Sequence, residues 1–144
     1  MVLRLAMVEE RLKELDTILE ELSRYRNLEE EDLAAQLSQR WIIERGLIAA
    51  AAIVFDIADH ILAGHFGLYA ETYEDSLRLL REQGVLSESL YQEVKGLGGF
   101  RNILVHEYLR IDLRLVYQHF QKALRVLPQW ATAILEWMEK VSAG

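Results

Sequence analysis

From Val2 to Leu22 apolar residues recur at Val2, Leu5, Val8, Leu12, Leu15, Ile18, Leu19 and Leu22, among others. That spacing marks one face of an α-helix. Helix breakers are scarce in the rest of the chain. Proline occurs once, at Pro128, and the eight glycines cluster. Both facts favour helix over sheet.

The first helix is expected from Val2 to about Arg26. Asn27 is placed to cap a second, with Glu29, Glu30, Glu31 and Asp32 in the first turn, where the helix dipole favours negative charge. No clear breaker follows until Gly64. That helix is therefore unusually long, and a kink near Gly46 is one way to divide it. Gly64-His65-Phe66-Gly67 reads as a loop. Thr72 caps a short helix ending at Gly84, and Ser87 caps the next. The path through Gly96, Gly98 and Gly99 is open, because each glycine costs about 1 kcal/mol inside a helix. Phe100 to Tyr108 continues as helix. Asp112 caps the last helix, from Leu113 to about Val141, with a kink expected at Pro128. About five helices with short loops make an antiparallel four- to five-helix bundle the economical architecture.

The length of 144 residues suggests one domain, spanning residues 1–144, large enough to bury a real core. No cysteine is present, which excludes a disulfide framework and a thiolate metal site and is compatible with a reducing cytosol. The N-terminus does not read as a signal peptide. The most apolar stretch, Ile42 to Phe55, contains Glu44 and Arg45. It is too short and too charged to span a bilayer, and it reads as a buried helix.

The net charge of −7 argues against a general nucleic-acid binder. The charge is uneven, however. Residues 1–94 carry a net of −10, whereas residues 95–125 carry +4, from Lys95, Arg101, Arg110, Arg114, Lys122 and Arg125 against Glu107 and Asp112. Two readings stand: a local anion site, or chance clustering on a solvated face.

Within that basic segment lies Arg101-Asn102-Ile103-Leu104-Val105-His106-Glu107-Tyr108. Arginine presents a planar fork of donors to phosphate and stays charged. Histidine exchanges a proton near neutral pH. The two suit attack of an RNA 2′-hydroxyl on its own phosphate, with His106 as acid or base, Arg101 on the developing charge and Asn102 in support. On a straight helix, Arg101 and Tyr108 lie about 20° apart, but Arg101 and His106 diverge by about 140°. Either the Arg side chain bends round, or two copies of the helix face each other across a two-fold axis. The structural alternative is a surface Arg and His that cap neighbours or pair with a residue such as Glu107.

The segment resembles the signature of the HEPN superfamily, an Arg, four to six residues and a His, often with Asn after the Arg. The fuller form, Arg101-Asn102-x-x-x-His106-x-Tyr108, looks like the HepT branch, the toxin half of HEPN–MNT toxin–antitoxin pairs. The similarity extends to Arg40 through Ala50, to Asp56 through Leu62, and to Tyr73 through Leu77 with Leu80 and Gly84-Val85-Leu86. It covers roughly residues 5–140. Gly96-Leu97-Gly98-Gly99 departs from the regular helix expected before the motif.

The resemblance implies an all-α HEPN-like bundle and a homodimer, or an assembly of dimers, with its groove between protomers. It implies a cytoplasmic, metal-independent endoribonuclease toxin of a type VII-like pair. Arg101 and His106 map to the nuclease pair. Tyr108 maps to the tyrosine that an MNT nucleotidyltransferase antitoxin modifies with AMP. The chain itself would need no cofactor, since ATP serves the partner, and no membrane. An added AMP would bring negative charge where RNA phosphate binds. Two alternatives are a non-catalytic HEPN module that binds a nucleotide or assists a nucleotidyltransferase, and a purely structural helical dimer.

Other residues carry weaker signals. Asp56, Asp59 and His60 share helical spacing that suits a divalent metal, although acidic residues on a solvent face are ordinary. His65 lies close to them in sequence. His119 has no evident catalytic neighbour. Trp41, Trp130 and Trp137 read as packing residues. Glu44 and Arg45 either line the groove beside the motif or pair with their surroundings.

Overall fold

The computed structural model describes residues 3–144, the side chain of Tyr108 excepted. Val2, expected on the first apolar stripe, lies outside the described residues. Seven α-helices follow one another among the described residues: α1 (Leu5–Ser23), α2 (Glu30–Ala35), α3 (Leu37–Ile61), α4 (Tyr73–Glu82), α5 (Glu88–Val94), α6 (Leu97–His106) and α7 (Leu113–Ala143). A π-turn, Leu62–Phe66, extends α3, and a 3-10 turn, Tyr108–Arg110, links α6 to α7. The all-α bundle expected from the sequence is the fold, with more helices than the pattern suggested.

The helix α3 organises the bundle. It packs against α1, α2, α4, α6 and α7. Its length and apolar composition would let it cross a membrane. Instead Ile43, Leu47, Ala50, Ala51, Val54, Phe55, Ile57, Ala58 and Ile61 lie in the core. Each large aliphatic side chain buried this way contributes about 1.5–3 kcal/mol. Helix α1 runs antiparallel to α3 and buries Val8, Leu12, Leu15, Leu19 and Leu22, the stripe visible in the sequence. Arg4 at its start donates its backbone N–H to His60 Nε2 at 3.0 Å, and Arg11 pairs with Asp56 at 2.9 Å.

The break in the long second helix falls at Gln36 (φ −125°, ψ 88°) rather than near Gly46. Gly46 instead lets α1 approach α3, because a Cβ there would stand 2.5 Å from Leu22 Cδ2. The short α2 is held by Leu33, which is buried between α3 and α7. Glu29, not Asn27, precedes its first turn and donates its N–H to Asp32 Oδ2 at 2.8 Å. The stretch Gly64–Phe66, expected as loop, stays helical in the π-turn. Gly67 (φ 65°) ends it in the left-handed region that glycine adopts without strain.

Three of the four expected caps are present. Thr72 accepts from the Asp75 N–H, Ser87 from Leu90 and Asp112 from Arg114, at 3.1, 3.1 and 2.9 Å. Pro128 lies within α7, which runs on through it as one helix.

Of the three tryptophans, Trp130 (0 % exposed) and Trp137 are buried, but Trp41 is 60 % exposed, beside exposed Leu37 and Ile42. The expectation of a packing role for Trp41 is therefore corrected. The break at Gln36 starts a new helix whose first turns turn this residue outward. Trp41→Ser is accordingly expected to change folding stability by no more than about 0.5 kcal/mol. A thermal melt showing a loss of 2 kcal/mol or more would contradict that.

Candidate active site on the sixth helix

Helix α6 is positioned from its N-terminal end. Lys95 is extended (φ −58°, ψ 145°) and Gly96 is left-handed (φ 93°), so the chain breaks sharply after α5. The backbone N–H groups of Gly96 and Gly98 then donate to the two carboxylate oxygens of Glu74 on α4, at 2.9 and 2.8 Å. One carboxylate thus satisfies two donors that a helix start leaves without partners. The approach is close: a Cβ on Gly98 would sit 2.7 Å from Tyr73 Cβ. The glycine cluster that departed from a regular helix has a structural reason. Gly96 makes the turn and Gly98 admits α4, while a Cβ on Gly99 would meet nothing within 4 Å.

Phe100 and Leu104 anchor the buried face of α6. Arg101 is half-buried, and its Cζ stands 5.0 Å over the ring of Tyr73. That ring stacks on Phe55 of α3, with centroids 4.7 Å apart. Arg101 Nη1 donates to Asn102 Oδ1 at 3.3 Å. Among the described residues no carboxylate pairs with Arg101, in a chain whose net charge is −7. Asn102 and His106 are exposed, and His106 is the last residue of α6. Its side chain makes no hydrogen bond to the described residues.

The structure therefore places Arg101, Asn102 and His106 on one helix. Within one chain it does not join Arg101 and His106 by a hydrogen bond among the described residues, in keeping with their divergence of about 140°. The helix ends sooner than expected. Glu107 (φ −120°, ψ 29°) leaves the α conformation, and Tyr108 begins the 3-10 turn. The expected common stripe of Arg101 and Tyr108 is thus corrected, because the chain must turn within a few residues to start α7. The side chain of Tyr108 lies outside the described residues.

Two hollows, of about 830 and 570 Å³, are lined by neither Arg101, Asn102 nor His106. The motif occupies open surface. Of the cations near it in sequence, Lys95, Arg110 and Arg114 are exposed, whereas Arg125 is tied to Glu93 at 3.3 Å.

The weaker candidates have structural partners. Asp56 pairs with Arg11, Asp59 accepts from Ser76 Oγ at 2.6 Å, and His60 caps α1 through the Arg4 N–H. Among the described residues no group of three such side chains converges as a metal site. His65 packs edge-on against Phe66 and Trp137. Glu44 is buried and pairs with Arg40 at 3.1 Å, while Arg45 is exposed.

His119 stacks on Phe100, with centroids 3.9 Å apart and planes 7° from parallel. Burial, and then the nearby charge of Lys122, hold its imidazole below the ordinary value of 6.5. The unfolded chain therefore takes up this proton more readily than the folded one. Stability should fall as pH drops below about 6.5, with the loss complete once the folded imidazole is itself protonated. His119→Phe should flatten that part of the stability–pH curve. Urea melts between pH 5 and 7 with unchanged slope in the variant would refute this.

A helical bundle presenting an Arg–Asn–x3–His helix on open surface belongs to a recognisable class. The HepT-like model, described as ribonuclease HepT-like, matches residues 15–134, and the chain belongs to that family. It is 28 % identical over 132 residues to a protein of Aphanizomenon flos-aquae named tRNA nuclease HepT, covering 92 % of this chain and 90 % of that one. Among solved structures, it superposes on the cytosolic protein YutE of Bacillus subtilis with a TM-score of 0.80 at 18 % identity, covering 97 % and 94 % of the two chains. It superposes on a tri-AMPylated HEPN toxin of Shewanella oneidensis, in complex with its MNT antitoxin, with a TM-score of 0.79 at 19 % identity, covering 90 % and 96 %.

Proposed function

We propose that this chain is a metal-independent endoribonuclease, the toxin of a HEPN–MNT pair, and that Arg101 and His106 carry its chemistry. The observation behind this reading is a half-buried arginine with no carboxylate partner among the described residues. It shares α6 with an exposed histidine in a HepT-like chain. His106 removes the proton from an RNA 2′-hydroxyl. The oxygen attacks the adjacent phosphorus, and Arg101 stabilises the charge that builds on the phosphorane oxygens. Expulsion of the 5′-oxygen, which takes up a proton, leaves a 2′,3′-cyclic phosphate and a 5′-hydroxyl. Nothing in this route requires a metal.

The two side chains diverge on one helix, so the working site is composed by two copies of α6 across a two-fold axis, with Asn102 beside each Arg101. The homodimer, alone or in an assembly of dimers, works in the cytoplasm as a single HEPN-like domain. The Aphanizomenon relative is named a tRNA nuclease, which makes tRNA the first substrate to offer. The Shewanella toxin is described as AMPylated and bound to an MNT antitoxin. On that analogy, a nucleotidyltransferase partner uses ATP to modify Tyr108. Tyr108 follows the end of α6 in the 3-10 turn, and its neighbours Leu109 and Arg110 are exposed.

The test is intact mass together with RNA cleavage, on protein expressed with and without its genomic neighbour. The expected result is cleavage by the chain expressed alone. With the partner, mass should increase in AMP units at Tyr108 and cleavage should be lost. Unmodified dimer that leaves every RNA intact would overturn the nuclease reading in favour of a non-catalytic nucleotide-binding module.

A further inference from the structure

The nuclease reading leaves open what aims Arg101. A long arginine side chain on open surface has many rotamers, and ordering them costs free energy at the moment of binding. Surface arginines are commonly held by carboxylates, as Arg11, Arg78 and Arg125 are in this chain. A carboxylate partner would oppose phosphate binding, because the same donors would already be occupied and the charge offset. Arg101 is held differently. Its guanidinium carbon lies 5.0 Å over the Tyr73 ring, and one Nη donates to the neutral Asn102 Oδ1.

The ring itself is anchored. It stacks on buried Phe55, and the neighbouring Glu74 binds the start of α6 through two backbone N–H groups. Phe55, Tyr73 and Arg101 thus form a column running from the core to the surface. Glu74 fixes the distance between the helix that bears the ring and the helix that bears the arginine.

We propose that Tyr73 is a positioning residue for RNA cleavage, holding the Arg101 guanidinium by its π-face so that its charge and its remaining N–H donors stay available to a phosphate. This rests on the reading of Arg101 as the phosphate-stabilising residue. A cation–π contact restrains an arginine without neutralising it. The aromatic face does the holding, so the Tyr73 hydroxyl is dispensable.

The experiment compares wild type, Tyr73→Phe, Tyr73→Leu and Arg101→Ala, with the double variant Tyr73→Leu/Arg101→Ala. It reads kcat and KM for RNA together with the Arg101 Nε–Hε and Cδ–H proton NMR shifts. In wild type those protons should show the upfield ring-current shift that a neighbouring aromatic face imposes, which tests the stack without any variant. Tyr73→Phe should keep both that shift and the activity. Tyr73→Leu should lose the shift and lower kcat roughly 3- to 30-fold, with KM nearly unchanged. In the Arg101→Ala background, Tyr73→Leu should cost nothing further.

An equal loss in both backgrounds would make Tyr73 merely structural and overturn the proposal. So would Arg101 shifts typical of a solvated arginine in wild type. A wild type that stacks Arg101 on Tyr73 but cuts no RNA would remove the nuclease reading, and with it the positioning role, while leaving the column itself established.

Discussion

In His106→Ala, RNA cleavage is expected to fall by about 10²–10⁴-fold, the usual contribution of a positioned acid or base, with no change in the helical circular dichroism spectrum or the melting temperature. The two halves of this expectation have separate causes. Loss of activity follows if His106 moves the proton of the attacking 2′-hydroxyl, since alanine offers no replacement base. Unchanged stability follows from its place. His106 is exposed at the last position of α6 and makes no side-chain hydrogen bond to the described residues. Truncating such a side chain alters stability by no more than about 0.5 kcal/mol. Cleavage that persists undiminished would put the reaction elsewhere in the chain. Parallel loss of fold and activity would leave His106 a structural residue. The contrast with His119 matters here. Also on a helix and near α6, it is stacked on Phe100 with a lowered pKa. Its replacement should register in the pH dependence of folding rather than in catalysis.

What the sequence made legible was local. The α1 stripe, the buried character of the long apolar helix and the caps Thr72, Ser87 and Asp112 all depend on residues within a few positions of one another. The break at Gln36 was not legible, because neither glycine nor proline stands there. What separates α2 from α3 is the packing of Leu33 against two other helices. Trp41 was misread for the same reason: once the helix restarts at Leu37, its facing is set by tertiary structure. At the site, Arg101, Asn102 and His106 were visible as a spacing, while the residues that aim them were not. Tyr73 and Glu74 lie more than 20 residues before their partners on α6. The resemblance included Tyr73 through Leu77 but gave them no role, and the glycine cluster announces a close approach of some backbone without saying which.

That approach yields a paired prediction on neighbouring residues, Gly98→Ala and Gly99→Ala, with opposite signs. At Gly98 the new methyl group would stand 2.7 Å from Tyr73 Cβ and 3.1 Å from Glu74 Oε1. Neither neighbour is the loose end of a flexible side chain: one is fixed by its own backbone, and the other belongs to a carboxylate whose two oxygens each accept a hydrogen bond from the start of α6. Helices α4 and α6 must therefore move apart, at a cost of about 1–3 kcal/mol for overpacking. The separation also lengthens the hydrogen bonds to Glu74 and draws the Tyr73 ring away from Arg101. Gly98→Ala should then lower the melting temperature by several degrees and reduce RNA cleavage as well. At Gly99 a methyl group meets nothing within 4 Å. The substitution removes backbone freedom from the unfolded chain and favours helix, so Gly99→Ala should gain about 0.5–1 kcal/mol. Thermal melts of the two variants decide the matter. If Gly98→Ala is as stable as Gly99→Ala, the contact between α4 and α6 is looser than 2.7 Å implies, and the mechanical link from Glu74 through α6 to Arg101 fails with it.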